Sequence, residues 1–357
     1  MGVMEPREDK LKKIKDEYDK CIDCNLCTRE CLLLERYGTS PKNILKEMME
    51  GPINEEMVFS CSLCGHCEKV CPKNVDFKKL FLACRTYVQH NKKTFNGVDI
   101  HQRLSFSKIF SLERKGKIVF FPGCSLISEN PHTLMKTYKY LKEKIPPLEI
   151  MIKCCGNPTN CLGKEEEFKK RIGHLEKSFR SNDVEEVVVA CQNCYMTIKK
   201  NIDIKVTSLW TLLDEIGIPK KERSCENRVF ALHDPCPTRY EHEIHESVRN
   251  ILRKMDVNIE EFKNNRENTL CCGVGGMASI FNRELSLDQM RKRANEVDSK
   301  WIVTYCAECV SSLQRGGKEG IHILDLIFNE KVKSKEEKSL MTKWRNRYEF
   351  KKHIEEL

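Results

Sequence analysis

The chain has no long hydrophobic run. Its longest apolar stretches, such as Val187-Val188-Val189-Ala190, fall far short of the roughly 18 residues a membrane span requires, so no direct span is expected. The opening Met1-Gly2-Val3-Met4-Glu5-Pro6 reads neither as a signal peptide nor as a myristoylation site, since position 6 is proline, and a cytoplasmic chain is expected. One-sided charge is also missing: 62 basic residues against 53 acidic leave a net +9. That is a solvated surface with some basic docking or anion-binding patches, and no nucleic-acid partner is expected. Disorder is excluded by the 40% hydrophobic content, and 357 residues suffice for two or three domains. What the chain has in quantity is cysteine, 21 in all. An odd number, in a long chain with no secretory signal, does not make a disulfide framework; reduced thiolates binding metal are the expected state.

Eight of them form a short repeat. Cys21, Cys24, Cys27 and Cys31 recur 40 residues later as Cys61, Cys64, Cys67 and Cys71, followed by Pro72. C-x2-C-x2-C-x3-C twice is the spacing of a two-cluster ferredoxin. Three cysteines in seven residues wrap one cubane, and the fourth ligates the other cluster. Cys21, Cys24, Cys27 and Cys71 are therefore expected on one 4Fe–4S cluster, and Cys61, Cys64, Cys67 and Cys31 on a second. Structural zinc prefers two separated C-x2-C pairs, so no zinc is expected. Two such cubanes, each about −2 with its thiolates, would bring the chain from +9 to about +5. The intervening Pro41–Met49 reads as helix, which resembles the α-helical ferredoxin module of respiratory complexes.

A longer repeat follows. Cys124, Cys154-Cys155-Gly156 and Cys191-x-x-Cys194 recur 112 to 117 residues later as Cys236, Cys271-Cys272-Gly273 and Cys306-x-x-Cys309. Ile118–Phe121 and Val229–Leu232 are strand-like runs ending just before the first cysteine of each half; Val187–Ala190 and Trp301–Thr304 do the same before each C-x-x-C. Between them, helical spacing links Leu134, Tyr138, Leu141 and Ile145, then Phe168, Ile172, Leu175 and Phe179. The second half has Ile244, Val248, Ile251 and Met255, then Leu287, Met290, Ala294 and Val297. Alternating strands and helices predict two α/β units with largely parallel sheets, and ligands of such sheets collect beyond the strands' carboxyl ends. Five thiolates per half are expected to converge there. A cubane or a zinc ion needs four, so five imply an unusual cluster. Gly156 and Gly273, with Gly275-Gly276, remove side chains where backbone must approach it and offer amide donors.

Cys-(about 30)-Cys-Cys-Gly-(about 35)-Cys-x-x-Cys, twice, resembles the CCG signature of the heterodisulfide reductase B-subunit family. The ferredoxin pair resembles that enzyme's C subunit, so residues 10–328 look like a fused C–B protein of the D-subunit type. The implied fold class is α+β multidomain. An N-terminal α-helical ferredoxin domain (1–95) is followed by a connector (96–116), two pseudo-symmetric α/β CCG halves (117–223 and 226–328) and a charged helical tail (329–357). The implied cofactors are two cubane 4Fe–4S clusters and two non-cubane 4Fe–4S clusters. Cys124, Cys154, Cys155, Cys191 and Cys194 would hold one non-cubane cluster, and Cys236, Cys271, Cys272, Cys306 and Cys309 the other. The implied reaction is reductive cleavage, between those clusters, of a disulfide resembling the coenzyme M–coenzyme B heterodisulfide. Electrons would arrive through the ferredoxin pair from a flavin-containing A-type subunit or a membrane cytochrome b subunit, the latter placing the chain at the inner face of the membrane. The same architecture occurs in electron-transfer subunits of anaerobic glycerol-3-phosphate, glycolate and lactate dehydrogenases, which is the alternative reading.

Residues near the motifs carry weaker expectations. His233, three before Cys236, is a candidate proton donor to a leaving thiolate, against the plainer role of capping a strand end. His66, Arg239 and Lys153 are expected as solvated groups, the last two with a lesser claim on substrate anions. Cys84, Cys161 and Cys225 stand outside the motifs, and Cys161 is expected as a free thiol. The tail, with Trp344, Tyr348 and Phe350, is expected as a surface helix or a partner-docking one.

Overall fold

A computed structural model describes residues 6–38, 40–92, 97–220, 228–328 and 337–357. Cys225 and the expected boundaries near 95, 223–226 and 329 lie outside the described residues.

The N-terminal region is helical because its helices are short and capped. Ser40 Oγ accepts from the Asn43 amide at 3.1 Å with Pro41 in the first turn, starting the helix Pro41–Glu50, whose Ile44, Leu45 and Met48 are buried. Asn54 Oδ1 accepts from the Met57 amide at 3.0 Å and starts Glu55–Ser60. Together with Leu80, Phe81 and Cys84 of the helix Phe77–Lys92, these residues make a core that also takes in Leu162 of the first half and Leu285 of the second.

The rest of the chain builds two four-stranded sheets. Strands β1 (Ile118–Phe121), β2 (Leu148–Ile150), β3 (Glu186–Val189) and β4 (Lys205–Ser208) take the order β2-β1-β3-β4; β5 (Val229–His233), β6 (Asn258–Glu261), β7 (Trp301–Thr304) and β8 (Glu319–His322) take β6-β5-β7-β8. Every pairing is parallel. Helices cover the sheets, so central strands are apolar throughout: Val119, Phe120, Phe121, Val187, Val188 and Val189 are all buried. Four strands, β2, β4, β6 and β8, add to those read from the sequence. They are short or polar edge strands such as Asn258-Ile259-Glu260-Glu261, with little hydrophobic signal. The helix Arg283–Ala294 also differs from expectation: it buries Leu285, Ser286, Met290, Arg293 and Ala294, and Val297 lies beyond its end.

The expected connector contains a helix, Gly97–Ser105, whose Asp99 pairs with Lys164 of the first half at 2.6 Å. The tail forms the helix Leu340–Glu355, but it is no free surface helix. Phe350 and Ile354 join the first half's core, Asn346 donates to the Ser128 carbonyl, and Arg347 donates to Ser105 Oγ at 3.0 Å. No helix among the described residues is long and apolar enough to cross a membrane.

One side chain joins all three parts. The fully buried guanidinium of Arg85 donates to carbonyls of Val58 (2.8 Å), Phe59 (3.1 Å) and Cys61 (2.6 Å) in the N-terminal region. It also reaches Cys161 (2.7 Å) in the first half and Gly276 (2.6 Å) in the second. The surrounding backbone is tight: a Cβ on Gly163, at φ +79°, would lie 2.5 Å from the Arg85 carbonyl carbon, and one on Gly276 would lie 2.5 Å from the Cys61 oxygen. Arg85→Met should therefore leave five carbonyls without their donor and cost about 3 kcal/mol or more. A urea unfolding curve with an unchanged midpoint would contradict this.

Candidate iron–sulfur sites

In each half, crossover connections leave β1 (or β5) toward opposite sides, so the crevice between β1 and β3, or β5 and β7, is the switch point where such sheets bind ligands. The sequence places cysteine there. Cys124 opens the helix just past β1, while Cys191 caps the helix Gln192–Asn201 just past β3, with Cys194 in its first turn. Cys236 follows β5, and Cys306 and Cys309 stand the same way at the helix Ala307–Arg315 past β7. Helix N-termini favour the thiolate form.

The Cys-Cys-Gly segments arrive from the third side. In both halves the glycine amide turns back onto the first sulfur, Gly156 to Cys154 at 3.4 Å and Gly273 to Cys271 at 3.3 Å. That turn needs φ of +79° and +102°, which is why glycine occupies both positions. Expected as donors toward an inorganic core, these amides donate to cysteine sulfur. Gly123 is a third requirement, since a Cβ there would meet Cys191 Cβ at 2.8 Å and Cys194 Sγ at 3.3 Å.

All ten expected cysteines are brought together, five and five. In the first half, sulfur contacts run Cys124–Cys154–Cys155–Cys194–Cys191. In the second they run Cys236–Cys271–Cys272–Cys309–Cys306, with 3.2 Å between Cys272 and Cys309 Sγ. Hydrogen bonds from Cys154 and Cys194 draw the Cys155 thiol down to about 6, and those involving Cys236 and Cys272 hold Cys271 well below the usual range. The partners in these contacts move the other way: Cys194 is pushed up by Cys155, and Cys236 and Cys272 by Cys271. Five thiols in contact, most of them buried, cannot all ionise without positive charge among them, which iron would supply. The donor sets fit an iron–sulfur cluster.

The N-terminal cysteines lie close together, with interactions within each expected set and also between them, since Cys27 feels Cys31 and Cys67 feels Cys27. Cys21 and Cys27 interact with Cys71, while Cys61 and Cys67 interact with Cys64 and Cys31. Each C-x2-C-x2-C loop bends through left-handed residues at matching positions, Asp23 and Asn25 in one, Leu63 and Gly65 in the other. Burial pushes Cys27 and Cys61 to about 12 and Cys31 to about 11, again calling for a cation. Cys24 is exposed. The second loop faces the second half: Cys31, Cys61, Cys64 and Cys67 line one cavity with Cys271, and the Ser62 hydroxyl bonds to Cys271.

Several neighbours stand differently from expectation. Arg239 is not solvated: it is buried and donates to carbonyls of Cys64 (3.1 Å), Glu267 and Thr269 (2.8 Å), bracing the second loop against the second half. Lys153 pairs with Glu113 at 2.5 Å and donates to Ser178. Neither is placed to meet a substrate anion. His66 is buried as well, and burial with nearby Arg239 lowers it to about 4. His233 is fully buried; burial, reinforced by Arg293, pushes it down to about 3. Cys161 is buried beside Asn157 and Arg85, outside the sulfur chain, and Cys84 lies in the N-terminal core. Sequence reasoning missed Gln102, which contacts Cys154 Sγ at 3.6 Å from within the expected connector, and Arg293, a charge on a face expected to be apolar. No sequence pattern marks Gln102; Arg293 breaks a helical apolar face and was visible as such.

Gly123→Ala is expected to cost the protein one cluster's worth of iron and sulfide while the N-terminal clusters' signals persist. Full iron content in that variant would show that the crevice tolerates a side chain.

Comparison with known proteins agrees with this geometry. A 4Fe-4S dicluster domain model matches residues 20–76, and a Cysteine-rich domain model, CCG, matches residues 118–199 and 230–314. The chain is 25% identical to an uncharacterised iron–sulfur protein of Methanococcus maripaludis, over 84% of this chain and 68% of that one. It is 22% identical to the B subunit of the CoM/CoB fumarate reductase of Methanothermobacter marburgensis, over 86% and 70%. It is 21% identical to the D subunit of the dihydromethanophenazine:CoB–CoM heterodisulfide reductase of Methanosarcina acetivorans, over 87% and 92%. The chain carries a 4Fe-4S dicluster domain followed by two CCG domains, and it is related to heterodisulfide reductase D subunits and similar iron–sulfur proteins.

Proposed function

We propose that this chain is the disulfide-reducing subunit of an oxidoreductase complex, converting a disulfide, two electrons and two protons into two thiols. In this reading Cys21, Cys24, Cys27 and Cys71 hold one cubane, and Cys61, Cys64, Cys67 and Cys31 the second. Each five-cysteine set of the CCG halves holds a non-cubane 4Fe–4S cluster. When bound, these groups supply one-electron redox chemistry and soft iron sites that accept sulfur. The observation that carries the reading is that both five-cysteine sets are complete and each is a continuous chain of sulfur contacts.

The remaining residues suit this role. Exposed Cys24 marks the side at which a donor subunit, flavin-containing or cytochrome b-like, would dock. At the other end Ser62 and Arg239 hold the Cys64 loop against Cys271, a close approach for electron passage. Burial lowers His66 to about 4 and His233 to about 3, which favours the neutral ring in each. The relatives' names point to a substrate of the CoM–CoB heterodisulfide type. The second reading, an electron-transfer subunit of a quinone-linked dehydrogenase, predicts rapid exchange with a quinone analogue and no disulfide turnover.

With reduced viologen as donor, Cys155→Ala and Cys272→Ala should each abolish disulfide turnover while the N-terminal clusters' spectroscopic signals stay intact. Turnover retained in either variant would remove the CCG sets as the chemical site. A wild-type protein that exchanges electrons with quinone but turns over no disulfide would favour the second reading.

A further inference from the structure

The two halves are not equivalent around their sulfur. Phe121 ends β1 three residues before Cys124, in register with Val189, and packs edge-on against Phe179. His233 ends β5 three residues before Cys236, in register with Thr304. A ring nitrogen of His233 lies within 4.8 Å of the sulfurs of Cys272 and Cys309. Its Nδ1 faces Arg293 Nε at 3.2 Å, whereas Nε2 is buried without a hydrogen-bond partner.

Arginine has donors only, so the nitrogen facing Arg293 accepts. The proton of the neutral ring is thereby placed on Nε2. Arg293 itself is locked: it pairs with Glu296 at 2.6 Å, donates to the Asn264 carbonyl at 2.9 Å, and stacks over Phe262 with its guanidinium carbon 3.9 Å from the ring centre. Phe262 also meets the His233 ring edge-on. A histidine that ligates metal through one nitrogen keeps the other as a donor to a carbonyl or carboxylate. Here that second nitrogen meets a cation, the opposite arrangement, so His233 is not built as a ligand.

We propose that Arg293 is a positioning residue that fixes His233 as a neutral ring whose unpartnered Nε2–H is available to the sulfur of a cluster bound in the second five-cysteine site, raising that site's reduction potential. Hydrogen bonds to cluster sulfur stabilise the more negative, reduced state. The inference rests on the cluster reading above and adds to it a distinct role for the second half. The first site has its own polar neighbour in Gln102, but no residue on its β1 can make the contact that His233 makes.

The test is an EPR-monitored redox titration in the Cys155→Ala background, where the second CCG site is the one left complete, with iron and sulfide measured on the same samples. His233→Phe, which installs the first half's residue, should lower the site's midpoint potential. A tenfold fall in the reduced-to-oxidised ratio at fixed potential corresponds to about 59 mV for one electron. His233→Gln, which restores an N–H, should return most of the shift. Arg293→Met, which touches no sulfur, should move the potential in the same direction as His233→Phe. An unmoved potential at full iron content overturns the proposal. So does a loss of iron in both His233 variants, which would make the ring a ligand. Absence of iron from the parent protein would instead defeat the cluster reading itself, and is seen separately.

Discussion

Buried thiolates repel one another, and that constraint organises the molecule. Burial, with neighbouring thiols adding to it, pushes Cys27 and Cys61 to about 12, and in the CCG halves each thiol touches the next. Ten sulfurs gathered in two crevices, seven of them on buried cysteines, are therefore a costly arrangement unless multivalent cations occupy them. The two CCG sheets can bear that cost because their stability has another source: Val119, Phe120, Val187, Ile302 and Val303 are completely or almost completely buried between helix layers. The dicluster region has less to draw on. Its cysteines Cys21 and Cys27 are themselves part of its core, so metal binding and folding are more tightly coupled there.

Much of this was legible in the sequence because the features that matter are periodic. Two cysteine repeats, and strands ending just before Cys124, Cys191, Cys236 and Cys306, located the sites at the carboxyl ends of parallel strands. The strand order then sharpened the location to the crevice between β1 and β3, and between β5 and β7. What was not legible follows from side chains acting at long sequence separation. Arg85 reaches Gly276 across 191 positions, and Arg239 reaches Cys64 across 175; composition makes such residues look like surface charge. His66 and Lys153 misled in the same way. The tail misled because its two buried apolar residues, Phe350 and Ile354, are sparse among charges that pair locally.

The arginines also show how the halves have diverged around identical cysteine frameworks. Among the described residues Arg85, Arg239, Arg249, Arg293 and Arg347 are essentially buried, and Arg239, Arg249 and Arg293 belong to the second half. Arg249 is held by Asp234 at 2.8 Å and Glu261 at 2.6 Å, and Asp234 also accepts from Tyr305 at 3.0 Å. Burial of a guanidinium is tolerable when carbonyl dipoles or carboxylates satisfy its five donors. Arg85 and Arg239 use carbonyls of loops that carry cysteine. Each thereby converts a desolvation penalty into a fixed distance between two sulfur-rich loops.

That fixed distance explains why the dicluster domain meets the second half more intimately than the first. A Cβ on Gly275 would lie 2.6 Å from the Ser62 carbonyl and 3.4 Å from Cys271 Sγ, so backbone passes against backbone with nothing between. Side chains there would separate the second ferredoxin loop from Cys271, and electron passage weakens with separation. The same approach explains Gly276 and the Arg85 carbonyl cluster, which sit on the far side of that contact. The first half meets the junction through the Cys161 carbonyl and the close-packed Gly163 instead, and its cysteines have the helix Gly97–Ser105 as a cover. Duplication supplied two equal sets of ligands. Their neighbours differ, a ferredoxin loop for one and a polar helix for the other, so the two sets stand in unlike surroundings.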